Sequence, residues 1–326
     1  MLLPITSPQF ICYNNISCSN AIIRANVHEG ANELFSSKYI NCYFKEASNN
    51  HKFVISIYDH WCTAQRIMYN QHIELLKETA KYDELDLISL IKKCISAHAY
   101  VFVQLNNKYV DNQTEDENLV FNGAIIGFDD NSQELSVCGV NRLDIFSFYK
   151  IGYEDAISAL MENGKDKVVF YMWSFNNNLS IQIDLPNIIF ELEDYLNSCN
   201  RRNQYTSDKV YGLDAYKMLA NYYRDYSYEF GLKCLPYFDK FKAHKEFMLN
   251  RINCLIENGI LRPCWKTYAN DVYIKACKAI ALETTHISYE DRRIFSNISN
   301  DILDCISIEK DYLNEVLLEM KQVNSL

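Results

Sequence analysis

The chain has 326 residues, a formal net charge of −10, 48% hydrophobic residues and 23% charged residues. This length suits two domains, or one domain with a large appendage, and the composition is that of a globular protein. The acidic balance without a dense Lys/Arg run argues against nucleic acid as a partner, and no window approaches the ~18 uninterrupted apolar residues of a membrane span.

The start of the chain and its cysteines indicate where the protein works. Met1-Leu2-Leu3-Pro4-Ile5-Thr6 lacks the basic region and long apolar core of a signal peptide. The twelve cysteines are scattered, with no Cys-x-x-Cys pair, so we expect reduced thiols that serve mostly as small core residues. These features predict a cytoplasmic protein.

The first half of the chain mixes helical and strand patterns. Apolar residues at helical spacing predict three helices, at 13–28, 84–97 and 153–162. Runs of β-branched and aromatic residues predict strands at 53–58, 100–105, 119–128, 134–140 and 143–149. A hairpin of 168–173 with 179–183 is predicted across the Asn-rich turn at 176–178.

After Pro186 the strand patterns vanish and helical periodicity takes over. Apolar stripes run through Leu213 to Tyr223, Phe241 to Leu255 and Leu303 to Met320, the second one ended by Gly259. The sequence therefore predicts an α+β domain over 1–184 and an all-helical domain over 185–326.

Cys12 is the best candidate for a nucleophile. It directly precedes a predicted helix, and the positive end of a helix dipole lowers the pKa of a thiol placed there. Cys18 lies inside the same helix and is better interpreted as a buried packing thiol. A purely structural role for Cys12 is the alternative, because most cysteines of this chain must be structural.

Three motifs resemble the family named for butirosin biosynthesis protein H. They are Cys12-Tyr13-Asn14-Asn15-Ile16, Ala124-Ile125-Ile126-Gly127-Phe128-Asp129-Asp130 and His244-Lys245-x-x-Met248-x-x-Arg251. The resemblance spans nearly the whole chain and rests on the order and spacing of short motifs. It implies a papain-like N-terminal domain with a central antiparallel sheet, followed by a helical domain.

The resemblance also implies a Cys–His pair with an Asp or Asn orienter, in which Cys12 matches the nucleophile. The histidine is expected six positions before Gly127, where a gap-free match places Phe121, followed by Asn122. Neither side chain accepts a proton as imidazole does. The orienter is expected on the next strand or just beyond it, where Asn141 and Asp144 are candidates and Cys138 is not suitable.

Three alternatives compensate for the absent histidine: another histidine replaces it, the activated thioester needs less assistance than an amide and the incoming amine supplies its own base, or catalysis is lost and the cleft is kept for binding. His60, beside Trp61 and after a predicted strand, is the best substitute base, and it competes with His28 at a helix end and with His98. His98, at a helix–strand junction, is better interpreted as a helix C-terminal residue, and His244 as a core histidine on an apolar helical stripe.

The family activity implies acyl transfer from a carrier-protein thioester to an amine through a Cys12 thioester. This would be one step of natural-product assembly, resembling nonribosomal peptide synthesis, with an acyl or peptidyl carrier protein and an amine acceptor as partners. The alternative is a catalytically impaired homologue that binds a carrier protein or a metabolite.

The remaining polar motifs favour simpler interpretations. Asp129-Asp130 is typical of a turn after a strand, and Arg201-Arg202 with Lys209 of a solvated linker, with a phosphopantetheine phosphate contact as the alternative. No metal-ligand spacing and no Gly-rich phosphate loop occurs, so we expect neither a metal nor a bound cofactor. The long amphipathic C-terminal helices leave room for a homodimer.

Overall fold

The structure is a computed structural model. It describes residues 1–8, 14–27, 30–38, 40–46, 53–58, 68–76, 87–110, 120–141, 145–162, 167–175, 182–202, 208–225, 228–286 and 292–325.

The elements of these residues, numbered in chain order, are as follows. The helices are α1 (Asn14–Asn26), α2 (Ala31–Ser36), α3 (Leu87–Ser96), α4 (Tyr153–Met161), α5 (Leu185–Leu196), α6 (Gly212–Asp225), α7 (Tyr228–Glu257), α8 (Trp265–His286) and α9 (Arg292–Asn324). The strands are β1 (Asn41–Glu46), β2 (Phe53–Tyr58), β3 (Met68–Leu76), β4 (Ala99–Asn106), β5 (Val120–Asp129), β6 (Glu134–Val140), β7 (Phe146–Gly152), β8 (Lys167–Phe175) and β9 (Val210–Tyr211).

The protein is of the α+β class with a central antiparallel sheet, as predicted, and it divides into two compact units. The first unit holds Met1–Glu29 and Trp61–Ser180, and the second holds Gly30–His60 and Ile181–Leu326. The chain leaves the first unit for the last time after Ser180, close to the domain boundary predicted between 184 and 185. The segment Gly30–His60 belongs to the helical unit, although the sequence interpretation assigned it to the first domain. No helix among the described residues is long and apolar enough to cross a membrane.

The first unit is built on a six-stranded sheet of order β3-β8-β4-β5-β6-β7. Every pairing within it is antiparallel. The predicted hairpin of β8 with 179–183 is wrong for the part that is described. β3 and β4 pair with opposite edges of β8, so no edge remains for such a partner, and Gln182 and Ile183 form no strand. Residues 176–181 lie outside the described residues.

The start of the chain extends this sheet beside the end of β5. The backbone N–H of Leu3 donates to the carbonyl of Ile126 at 2.7 Å, and that of Phe128 donates to the carbonyl of Met1 at 2.8 Å. Gly127 permits this approach, because a Cβ at that position would lie 2.6 Å from the Met1 carbonyl oxygen. A β-bulge between Ile125 and Gly127 accompanies the change of partner.

The second unit combines α2 and α5–α9 with a small sheet of order β2-β1-β9. Its core joins residues of β1 to the predicted apolar stripes of α6, α7 and α9. The two-residue strand β9 lies within the region predicted to be all-helical. It pairs with β1 at Tyr43 and Phe44, so a strand from the segment Gly30–His60 completes this unit.

A buried polar network occupies the middle of this core. The His244 and Arg251 side chains of α7 bond backbone carbonyls near α2. The His244 Nε2 lies 2.8 Å from the Ile40 oxygen, and the Arg251 Nε donates to the Ser36 oxygen at 2.6 Å. A carbonyl only accepts, so the His244 Nε2 carries the proton. These bonds explain why the segment Gly30–His60 belongs to the helical unit.

His244 should make the protein less stable as the pH falls below about 6.5. Burial is the main cause that holds its pKa well below the ordinary value, and the charges of Lys245 and Arg251 act in the same direction. An unfolded histidine has a pKa of about 6.5, so the stability that the neutral ring contributes is present above that pH. It should be lost as the pH falls below it, at up to about 1.4 kcal/mol per pH unit.

Urea denaturation at several pH values between about 7.5 and 5.5 measures this dependence. In His244→Gln the slope over that window should be clearly smaller, because the titrating group is gone. Burial raises the pKa of the Glu191 and Glu246 carboxyl groups, but wild type and variant both carry these groups, so the difference between the two slopes is assigned to His244. Equal slopes for wild type and variant would contradict the assignment to His244.

Candidate functional site

Helix α1 packs on one face of the six-stranded sheet. The Cys18 thiol lies 3.7 Å from the carbonyl oxygen of Cys138 on β6, and the Asn26 amide donates to the Tyr100 hydroxyl of β4 at 2.9 Å. Cys138 is paired with Ala124 of β5, whereas Tyr100 lies next to the residue paired with Ile125. From Cys18 beside β6 to Asn26 beside β4, the helix therefore crosses the sheet over β5.

Phe121 and Asn122 open β5 and point to opposite faces of the sheet. Asn122 is paired with Gln104, and the two-residue alternation along β4 puts Gln104 on the same face as Tyr100. Asn122 therefore lies on the face that α1 covers. Phe121 points to the other face, where its ring meets Tyr149 edge to face at 5.4 Å. Of the two residues at the expected histidine position, only Asn122 is on the side of α1.

The Asn122 side chain is engaged by its neighbour across the strands. The Gln104 Nε2 donates to the Asn122 Oδ1 at 3.0 Å, and Asn122 is half-buried. A side-chain amide offers N–H donors and a carbonyl acceptor, but it has no nitrogen that takes up a proton near neutral pH. The start of β5 thus presents a neutral amide pair on the α1 face, in place of an acid–base group. No sequence pattern points to Gln104, since only the strand register brings it beside Asn122.

Asn141, a candidate orienter, closes the turn between β6 and β7. Its Oδ1 accepts the Ile145 N–H at 3.0 Å, and its own backbone N–H donates to the Ile145 oxygen at 2.9 Å. Its Nδ2 lies 3.5 Å from the Ser147 hydroxyl. The described contacts of Asn141 therefore give it a role in the turn.

Three predicted site residues, Cys12, His60 and Asp144, lie outside the described residues, as does His28. His98 is exposed, at the junction of α3 and β4, with a φ of 59°. Its N–H donates to the Ile95 carbonyl, so its described role is in ending α3.

The other cysteine of the first motif has the character of a core thiol. Cys18 is fully buried, and burial raises its pKa well above the usual value, with the neighbouring Cys138 adding to the effect. A thiol in such surroundings stays protonated and is a poor nucleophile. Every cysteine whose side chain is described is a free thiol.

The two arginines of the basic motif are engaged in ion pairs, and the Lys209 ammonium lies 4.2 Å from the centre of the Tyr43 ring. Arg201 pairs with Glu193 and Asp194, and Arg202 pairs with Glu191. Both guanidinium groups therefore already have carboxylate partners, which does not favour the phosphate-contact alternative.

The turn carboxylates Asp129 and Asp130 are likewise engaged. Asp129 accepts the Asn131 backbone N–H at 3.0 Å, as expected of a turn. Asp130 bonds Lys92 and the Tyr153 hydroxyl, and the Lys92 contact is the main cause that lowers its pKa. No group of three His, Cys, Asp or Glu side chains among the described residues is arranged to hold a metal ion.

No protein-family model matches the chain, and no curated protein matches it.

Proposed function

We propose that the chain is a papain-like acyltransferase of natural-product biosynthesis. It would move an acyl group from a carrier-protein thioester to an amine through a thioester of Cys12. The observation that carries the proposal is the arrangement around α1. The helix lies on the sheet face that carries the Asn122–Gln104 pair, and Asn122 is at the expected histidine position. The segment that precedes α1 in sequence contains Cys12.

The neutral Asn122–Gln104 pair favours a thioester as the acyl donor. In the first step the Cys12 thiolate attacks the carbonyl carbon of the carrier-bound thioester. A new C–S bond forms as the old one breaks, and the phosphopantetheine sulfur leaves as a thiolate. A thiolate leaves without being protonated, because an ordinary thiol has a pKa of about 8.5. A neutral amide in place of imidazole is therefore compatible with this exchange.

The second step also runs without an enzymatic base. A neutral amine attacks the Cys12 thioester, the amide bond forms, and Cys12 leaves as a thiolate while solvent takes the proton of the amine. Cleavage of an amide donor would differ, since an amine leaves only after it is protonated by a general acid. The neutral pair thus supports acyl transfer between sulfur and nitrogen and argues against proteolysis.

One observation favours a second candidate, a catalytically impaired homologue that binds a carrier protein or a metabolite. The Asn122 oxygen already accepts the Gln104 amide, so it is committed within the sheet. Such a protein would keep the surface beside α1 and form no covalent intermediate.

Intact-mass spectrometry after incubation with an acylated carrier protein tests the proposal. Wild type should gain the mass of one acyl group, and Cys12→Ala should gain none. Cys264→Ala is the control, because Cys264 is an exposed thiol just before α8 and its removal should leave the adduct unchanged. An adduct that persists in Cys12→Ala contradicts the assignment, and no adduct in wild type with the carrier still bound favours the binding protein.

A further inference from the structure

Strand β7 lies at the edge of the six-stranded sheet. Among the described residues it pairs only with β6. The Asn141 N–H donates to the Ile145 oxygen at one end of this hairpin, and the Tyr153 N–H donates to the Gln133 oxygen at the other, both at 2.9 Å. In an antiparallel ladder the bonded pairs alternate with non-bonded pairs. The outward backbone groups of β7 are therefore those of Phe146, Phe148, Lys150 and Gly152.

Two large apolar side chains at this edge are about half exposed. Phe148 is 54% exposed and the preceding Ile145 is 52% exposed. The Phe146 and Phe148 rings meet edge to face at 5.6 Å. Soluble proteins usually protect such an edge, because a row of free N–H and C=O groups beside apolar side chains pairs readily with another strand. The only charged residue of β7 is Lys150.

We propose that β7 pairs with β7 of a second copy of this chain, in an antiparallel register centred on Tyr149. This register pairs all seven residues of the strand and joins only outward backbone groups. Phe148 then lies opposite Lys150 of the second copy, and Phe146 lies opposite its Gly152. Each of these two residue pairs occurs twice in the dimer because of the twofold symmetry.

The strand's own composition favours this partner and register. The Lys150 ammonium donates to the Ser136 hydroxyl of β6 at 2.8 Å in the single copy, and in the dimer it would turn to an aromatic ring of the other copy, which is an attractive cation–π contact. A register centred on Lys150 would place two like charges opposite each other, and one centred on Phe148 would leave the end of the strand unpaired. The chain carries a net charge of −10, yet β7 contributes no carboxylate to the repulsion between copies. The two sheets would become one continuous sheet.

Sedimentation equilibrium over roughly 1–100 μM tests the pairing, a range suited to small interfaces. Wild type should show a concentration-dependent dimer. Phe148→Lys should be monomeric throughout, because it puts a second cation opposite each Lys150. Leu318→Lys is the control, since Leu318 is equally exposed, at 54%, on α9. A monomeric wild type, or an equal effect of the two variants, would overturn the proposal.

Disulfide trapping tests the register. In a twofold centred on Tyr149, the two Cα atoms at position 149 are about 4.5 Å apart, within disulfide range. At position 147 they are about 13 Å apart, which no disulfide spans. Mild oxidation should therefore cross-link Tyr149→Cys through position 149, as mapped by peptide mass spectrometry, but not Ser147→Cys. Cross-linking at both positions or at neither would contradict this register.

Discussion

Replacing Lys245 with alanine should lower the free energy of unfolding by about 3–5 kcal/mol, the usual cost of breaking a buried ion pair. Lys245 and Glu309 form an ion pair in which both side chains are fully buried. The Tyr195 hydroxyl donates to the Glu309 carboxylate at 2.6 Å and accepts from the Lys245 Nζ at 2.8 Å. Without Lys245 the carboxylate would remain in the core without its cation.

The double variant Lys245→Met/Glu309→Leu separates the charge effect from lost packing. It removes both charges and keeps similar volumes, so it should recover most of the stability that Lys245→Ala loses. Lys217→Ala is a matched control, because the Lys217–Asp214 pair on α6 is about half exposed on both sides. It should change stability by less than about 1 kcal/mol.

Urea denaturation followed by circular dichroism measures all three variants. A Lys245→Ala cost no greater than that of Lys217→Ala would contradict the account. If Lys245→Ala does not fold at all, the double variant decides, since a folded and stable double variant requires that the unpaired charge caused the loss.

This ion pair shows what the sequence was able to predict and what it was not. The apolar stripe of α7 is legible because its residues recur at helical spacing. The motif His244-Lys245-x-x-Met248-x-x-Arg251 was visible too, but its partners were not. Glu309 lies 64 residues further along the chain, and Ile40 lies 204 residues before His244. Long-range pairing of this kind leaves no periodic signal.

The strands were likewise predicted only where their apolar pattern is continuous. β5 and β6 were predicted because their apolar runs end in turn residues, whereas β1 and β3 were not predicted. Polar residues such as Asn41, Lys45, Asn70 and Gln71 interrupt their apolar pattern. The partners of β8 were assigned wrongly for a related reason: a nearby turn suggested a hairpin, while β3 and β4 occupy both edges.

The candidate site depends on register in the same way. The sequence placed Phe121 and Asn122 together at the expected histidine position and did not distinguish them. The pairing of Asn122 with Gln104 distinguishes them, because neighbouring residues of a strand point to opposite faces of the sheet. The question is therefore whether a neutral amide pair, where the resemblance implies an imidazole, is compatible with catalysis.

The most direct test of the proposed chemistry compares two donors that carry the same acyl group, one a phosphopantetheine thioester and the other the corresponding amide. The described residues place a neutral amide pair, and no acid that could protonate an amine, at the expected histidine position, so Cys12 should be acylated by the thioester only. Intact-mass spectrometry over time measures the adduct for both donors, with Cys12→Ala as the blank. An adduct from the thioester alone is the expected result, and acylation by the amide, or by neither donor, would contradict the account.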